Sequence, residues 1–204
     1  MVCLSSPCGE VVLTHMWRDL KAETSKSPEV QIFARFKENF EVLQHSLVKD
    51  LSFPNIPAEL TSKREDLINI CESAKVKSFA RGDYRELVDL VLLLVHHNTE
   101  SFTGFLRPGA MHTARWMAKL IYSFKIFLLK EKILELPKGS ILAAQQFQRL
   151  ERFVLAAALF YVPWWLHAGV AADSPVNDLS LIKSIQSYSL IAKQVSNIWK
   201  ALVS

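Results

Sequence analysis

The sequence has few cysteines and few glycines, and each scarcity excludes a class of protein. Its three cysteines (Cys3, Cys8 and Cys71) form no CxxC pair, so neither a disulfide framework nor a zinc knuckle is expected. Six glycines and 22% charged residues exclude collagen-like and low-complexity chains. Half of the 204 residues are apolar, which is enough to form the core of one domain. We predict a single all-helical domain over residues 1–204, with residues 1–9 irregular.

A strong charge imbalance is also missing. Lysine and arginine number 24 against 20 aspartates and glutamates, which leaves a net charge of +4. This total favours neither nucleic acid nor an anionic membrane as a partner. The first residues lack a secretory signal, because Ser5, Ser6, Pro7 and Glu10 interrupt the apolar run. With so few cysteines, we expect an intracellular protein, nuclear or cytoplasmic.

Catalytic and metal-binding motifs are absent from the sequence. It contains no GxSxG elbow, no HExxH, no glycine-rich phosphate loop and no paired carboxylates in an apolar setting. His96, His97 and His112 lack the spacing of zinc ligands. Asp89 lies in the apolar stretch LVDLVLLLV, where we expect it to be buried and paired with Arg85 or a facing arginine. We therefore expect no enzyme, no metal, no cofactor and no small-molecule substrate.

One run, residues 153–172, is about long enough to span a bilayer and carries no formal charge. It predicts either a membrane anchor or a central helix of an all-helical domain. Pro163, His167 and the adjacent Trp164 and Trp165 favour the central helix, which the proline ends or kinks.

Apolar residues recur at intervals of three and four along the whole chain, which is typical of helices. We predict an all-α bundle of about seven or eight helices. The first two predicted helices cover residues 10–22 and 28–48. The third has Thr61 or Ser62 as its N-cap, the fourth has Asp83, and the fifth covers 110–136. A sixth extends into the 153–172 run, and the last region follows Pro175. Ser187 to Ser189 are a candidate break within the last of them, and Cys71 is predicted to be a small core residue.

The densest basic feature of the sequence is the group Arg107, His112, Arg115 and Lys119. Arg115 and Lys119 lie one turn apart on one helix face, and His112 lies three residues before Arg115, so these side chains have the spacing to contact phosphate oxygens together. Lys125 extends the group along the helix. The alternative is that these residues pair with carboxylates of neighbouring helices while Trp116 and Met117 pack inward.

The same segment, residues 107–122 (RPGAMHTARWMAKLIY), resembles a block shared by transposon-derived proteins of invertebrate genomes and polydnaviruses. Three further blocks agree in order: PEVQIFARFKENF (28–40), DYRELVDL (83–90) and YVPWWLHAGVAADSPVNDLSLI (161–182). Full-length relatives resemble RNase H-like transposases of the hAT superfamily, in which a helical region is inserted between the second and third catalytic carboxylates. The resemblance therefore implies that this chain corresponds to the helical region.

Relatives carry a Cys-Arg-His-His motif upstream of the PEVQIF-type block, whereas the matching stretch here (7–11) keeps Cys8 and lacks both histidines. The first catalytic aspartate of relatives would precede residue 1. The resemblance thus implies a non-catalytic domain that supports oligomerisation or contacts the DNA backbone, with Arg107, His112, Arg115 and Lys119 as contact residues. The alternative is a viral or host protein-interaction effector that uses an apolar groove around Trp164 and Trp165. An exposed pair would favour this role, whereas a buried pair would be ordinary core.

Overall fold

The computed structural model describes residues 31–44, 50–79, 81–97, 99, 102–109, 115–137, 141, 144–167 and 174–191. The helices in these residues are α1 (Gln31–Glu38), α2 (Phe40–Leu43), α3 (Thr61–Val76), α4 (Gly82–His96), α5 (Arg115–Leu128), α6 (Lys130–Glu135), α7 (Ala144–Ala156), α8 (Val162–His167) and α9 (Ser174–Ile191). A 3-10 turn (Ala58–Leu60) precedes α3, and a π-helical turn (Ala157–Tyr161) joins α7 to α8. No strand occurs in the described residues, and the predicted all-α bundle is confirmed. The predicted first helix, 10–22, and segment 1–9 lie outside them.

Four helical walls surround the core. α4 packs against α3 on one side and α5 on the other; α5 packs against α7, and α8 returns to pack against α3. The Arg64 Nε atom at the start of α3 donates a hydrogen bond to the Val95 carbonyl at the end of α4, at 2.5 Å. α3 and α4 are therefore antiparallel neighbours, as expected for helices joined by a short connection. α9 packs against α8 and the π turn.

Aromatic rings fill the space between these walls. Tyr122 of α5 contacts the rings of Phe33 and Phe36 of α1, with centroids 5.1 and 5.9 Å apart. On another side of α5, Trp116 meets Tyr161 and Trp165, at 5.7 and 5.8 Å. Such tilted and edge-on contacts add to the free energy gained by burying the rings. They pack α5 against α1 on one side and against the π turn and α8 on another.

Pro163 does not end the rod that α7 and α8 form, because the π turn lies just before it. In a regular α-helix the proline ring would clash with the Leu159 carbonyl and leave it without its N–H donor. Here the Val162 N–H donates to the Ala157 carbonyl, five residues back, which is the π-helical pattern. The rod therefore continues to His167. None of the helices in the described residues is long and apolar enough to cross a bilayer.

Several predicted helix boundaries were wrong. Asp83 is not the N-cap of α4: the helix begins at Gly82, and the Asp83 carboxylate instead binds the Arg81 guanidinium (Nε to Oδ1, 2.9 Å). α3 begins at Thr61 with Leu60 as N-cap and no side-chain cap. The predicted helix 110–136 is interrupted at Leu129. α9 continues without a break through Ser187 to Ser189.

The second predicted helix is also shorter in the described residues than expected. It is interrupted at Asn39, whose side-chain amide donates to the Arg35 carbonyl at 2.8 Å, and α2 ends at Leu43. Residues 28–30 and 45–48, which the prediction included, lie outside the described residues.

Cys71 is a core residue of α3, as predicted, and its burial generates a test. Burial raises the pKa of the Cys71 thiol to about 12, and Glu72 adds to the effect. In a Cys3→Ser, Cys8→Ser background, native Cys71 is expected to react with Ellman's reagent at pH 8 at least roughly a hundredfold more slowly than the urea-unfolded chain, because the thiolate is the reactive species. Similar rates in the two states would contradict the buried position.

Candidate functional site

Two hydrogen bonds from α5 fix the loop 102–109 that precedes it. The Lys125 Nζ atom donates to the Leu106 carbonyl at 2.7 Å, and the Tyr122 hydroxyl donates to the Gly109 carbonyl at 3.0 Å. Arg107 lies between these two anchors, and its side chain is 81% exposed. The anchors lie on consecutive turns of one helix and hold the loop on both sides of the arginine. The loop therefore presents Arg107 to solvent from a fixed backbone.

Lys125 is not a surface cation but pairs with a carboxylate of a neighbouring helix, as the alternative for the basic group predicts. Its side chain is 2% exposed, and Nζ lies 2.5 Å from Oε1 of Glu86 in α4. Burial lowers the pKa of Lys125, and the Glu86 carboxylate opposes this effect. Removal from water disfavours the ammonium form, whereas a close carboxylate favours it. Lys125 is thus a structural charge that joins α4, α5 and the loop.

Arg107 is paired with a carboxylate of another helix. Its Nη2 atom lies 3.0 Å from Oε1 of Glu41 in α2. Both side chains are mostly exposed, and ion pairs of this kind contribute only about 0 to 1 kcal/mol. The pair is therefore weak enough for another anion to replace the carboxylate.

The structure places the other predicted contact residues as follows. Lys119 lies on α5, is half-buried and already has an interaction with the rest of the protein. Arg115 begins α5, but its side chain is not among those described, and His112 lies outside the described residues. Met117 is buried and Trp116 packs against the core, in the inward orientation expected of them. Convergence of the four basic residues stays a prediction.

Asp89 is not buried, contrary to expectation. Its side chain is 46% exposed, and its carboxylate is bound by Lys75 of α3 (3.2 Å) and lies 3.9 Å from Nε of Arg85. Leu87, Val88 and Leu90 around it are buried, so Asp89 occupies the one face of this stretch that no helix covers. The predicted partner Arg85 is present. The predicted burial was wrong, because an apolar run does not show which of its faces is covered.

A cavity of about 410 Å³ adjoins the same loop. Its apolar wall includes Phe102 and Phe105, whose rings meet edge to face at 4.9 Å, and its rim includes Lys75, Arg85 and Asp89. Acidic and basic groups are interspersed around it, so it selects neither sign of charge. The sequence pattern FTGF marks this segment only as a loop and gives no sign of the cavity.

The sequence leaves the exposure of Trp164 and Trp165 open, and in the structure both are buried, with 7% and 1% exposure. Trp165 meets Tyr84 of α4 at 5.2 Å between ring centroids. Both rings are core, so an interaction role that depends on exposure of this pair has no support in the described structure.

In the described residues, no group of three or more histidine, cysteine or acidic side chains is arranged so that it could hold a metal ion. His97 instead ends α4 in the left-handed conformation (φ 55°), and its ring lies 4.6 Å from that of Phe53. Burial lowers the pKa of His97, and the charge of Arg64 adds to this. The imidazole at this helix end is therefore favoured in its neutral form.

Comparisons with protein-family models, with curated proteins and with solved structures find no match for this chain.

The buried ion pair predicts an asymmetric response to mutation. Lys125→Met should lower the free energy of unfolding by about 3 kcal/mol, because it leaves Glu86 as an uncompensated, largely buried charge. The double variant Lys125→Met, Glu86→Leu should recover most of this loss. Chemical denaturation measures both, with Arg85→Met as a control at an exposed pair of the same helix, expected to change stability by less than about 1 kcal/mol. A double variant no more stable than the single one would contradict the role of the pair.

Proposed function

We propose that this chain is a non-catalytic helical domain, related to the helical region of hAT-like transposases, that contacts the DNA backbone through the loop 102–109 and the beginning of α5. The observation that carries the proposal is the double anchoring of this loop on Lys125 and Tyr122, with the exposed Arg107 between the anchors. Little conformational freedom of the loop backbone is then lost when Arg107 meets a phosphate.

The Arg107–Glu41 pair is compatible with this role. Arginine binds phosphate through two parallel N–H donors. A duplex presents a continuous row of phosphates, so it competes well with one exposed carboxylate held by a weak surface pair. Lys119 is half-buried on α5, one turn before the anchor Tyr122, so it is near the point where α5 holds the loop.

The resemblance to transposon-derived proteins supports the same surface. The block 107–122 begins in the loop at Arg107 and ends in α5 at the anchor Tyr122. Arg107 and Lys119 therefore both belong to one of the four blocks on which the resemblance rests.

The charges around this surface limit the strength of the contact. Many cations of the described residues already hold carboxylates, among them Lys75, Arg81, Arg85 and Lys132. A cation that holds a carboxylate is less available to neutralise a phosphate, so we expect modest, salt-dependent affinity without base recognition.

This proposal predicts a change in the salt dependence of DNA binding. Arg107→Gln, alone and with Lys119→Gln, should weaken binding to duplex DNA. For every phosphate that a variant no longer neutralises, the slope of log affinity against log salt should fall by about 1. Fluorescence anisotropy of a labelled duplex over a salt series measures the slope. Lys183→Gln on α9 is the matched control and should leave the slope unchanged; an unchanged slope in the double variant would refute the DNA role of this surface.

Self-association is a second candidate, and it rests on α9. Val176, Leu179 and Ile182 lie at intervals of three on this helix and are 70%, 51% and 39% exposed. The opposite face turns Leu181 into the core. A helix with an outward apolar stripe suits a two-fold dimer, in which the same stripe of a second copy covers it.

The dimer predicts that an acidic residue within the stripe disrupts association. Leu179→Glu should shift the protein from dimer to monomer in sedimentation velocity, because the pairing would bury two like charges against each other. Val76→Glu places the same kind of change at an exposed valine at the end of α3 and should leave the dimer intact. A wild-type protein that stays monomeric as its concentration rises would exclude this candidate.

A further inference from the structure

The cavity of about 410 Å³ beside the loop 102–109 lies between three parts of the chain. α3, α4 and the first half of the loop form it together. Its size falls within the range of about 300 to 1,000 Å³ typical of small-ligand sites. The charged side chains on its rim are between 30% and 58% exposed, so a ligand can reach them.

Two phenylalanines of the loop and two leucines of α4 form an apolar wall of this cavity. Phe102 and Phe105 are half-buried, and their rings meet edge to face at 4.9 Å. Gly104 lies between them in the chain with φ 117°, a conformation that residues with a side chain rarely adopt. Leu90 and Leu93 also line the cavity. This wall suits an apolar or aromatic group, which gains free energy by leaving water.

Two cations from different helices share one carboxylate on the rim. The Lys75 Nζ atom of α3 lies 3.2 Å from Asp89 Oδ1, and the Arg85 Nε atom of α4 lies 3.9 Å from Asp89 Oδ2. The longer distance exceeds that of a hydrogen bond. Because one carboxylate balances only one of the two positive charges, the exposed Arg85 guanidinium keeps donors for a second carboxylate.

A carboxylate without a cation lies on the same rim. Glu72 of α3 is exposed and lines the cavity, and its carboxylate makes no ion pair or hydrogen bond with the described residues. Glu72 precedes Lys75 by one turn of α3, and Arg85 precedes Asp89 by one turn of α4. Because these helices are antiparallel and Lys75 meets Asp89, Glu72 and Arg85 lie toward opposite ends of the charged cluster. The rim therefore has a negative end and a positive end.

The two remaining titratable groups that line the cavity do not change this balance. Glu86 is held by Lys125. His96 ends α4, about two turns beyond Asp89. The two cations and the two carboxylates of the rim cancel as a sum, and one group of each sign is left for a ligand. A molecule that itself carries one charge of each sign matches such a rim.

We propose that this cavity binds a free α-amino acid with a large apolar or aromatic side chain. The carboxylate of the ligand lies at the Arg85 guanidinium, its ammonium lies at the Glu72 carboxylate, and its side chain lies against Phe102 and Phe105. Molecules that carry only one of the two charges bind less well, because they leave one rim group unmatched. The DNA contact depends on Arg107 and not on these side chains, so the two proposals fail separately.

L-Phenylalanine is the probe for this site. Hydrocinnamate, which lacks the ammonium, and phenethylamine, which lacks the carboxylate, are its controls. In ¹⁵N NMR titrations of the full chain without DNA, phenylalanine should shift the amide signals of residues 102–106 saturably. Each control should bind at least about tenfold more weakly, because it loses a hydrogen bond between charged groups.

Variants assign the two charges separately. Arg85→Met and Glu72→Gln should each weaken phenylalanine binding about tenfold or more. Arg85→Met should not weaken the binding of phenethylamine, and Glu72→Gln should not weaken that of hydrocinnamate, because each of these ligands lacks the group that the lost side chain binds. Glu65→Gln, at an exposed glutamate of α3 outside the cavity, should bind phenylalanine as wild type does.

Three outcomes would overturn the proposal. The first is that phenylalanine does not bind saturably to wild type. The second is that both controls bind as well as phenylalanine, and the third is that Arg85→Met and Glu72→Gln keep the affinity of wild type. Both side chains are exposed, so neither variant is expected to disturb the fold.

Discussion

The ion pair between Lys125 and Glu86 is the interaction on which the arrangement of this bundle depends. It lies where α4, α5 and the loop 102–109 meet, and Lys125 also donates to the Leu106 carbonyl. Leucines and phenylalanines tolerate small slides of one helix along another, whereas a buried charge does not. A shift of α5 by one turn would leave both charges buried and unpaired. The pair therefore fixes the register of the two helices, a role better attested for buried ion pairs than a contribution to stability.

The same ion pair also supports the surface that is proposed to contact DNA. The lysine that fixes the helices also holds the loop backbone next to Arg107, so the position of the exposed arginine is set by a contact within the core. Tyr122 supplies the second support, and its ring is itself held by Phe33 and Phe36 of α1. The proposed contact surface is thus supported from the interior of the bundle.

The fold class was predictable from the sequence, but the position of single charges was not. Apolar spacing predicts helices at α3, α4, α5 and α9, because a helix that buries one face repeats its apolar residues every three to four positions. Asp89 and Lys125 are each one charge within an apolar run. The predicted burial of Asp89 is wrong, whereas Lys125 pairs with a carboxylate of a neighbouring helix, which is one of the two alternatives that the sequence leaves open. α1, α4 and α7 cover α5 on several sides, whereas the face of α4 that carries Asp89 is open. That difference arises from tertiary packing, and the spacing of apolar residues along one helix does not show it.

The candidate sites were less predictable for the same reason. Arg107 can be found from the sequence, since an arginine in a proline and glycine loop is expected to be exposed. The cavity beside Phe102 and Phe105 cannot, because α3, α4 and the loop form it together. Two adjacent tryptophans are conspicuous in the sequence, but the sequence does not show which side of the helix is covered. Only the structure shows that the Trp164 ring is buried and that its indole N–H has no hydrogen-bond acceptor among the described residues.

The π turn between α7 and α8 changes which helices the two halves of this rod contact. Widening a single turn by one residue rotates everything after it by about 100° relative to a regular helix. α7 therefore faces α5, whereas α8, on the same axis, faces α3. One continuous rod thus packs against α5 with its first half and against α3 with its second half. In descendants of this sequence, substitutions within residues 157–161 should be tolerated more readily than a deletion of one residue there. The deletion would replace the π turn by a regular α-helical turn and would rotate Trp164 and Trp165 away from the core.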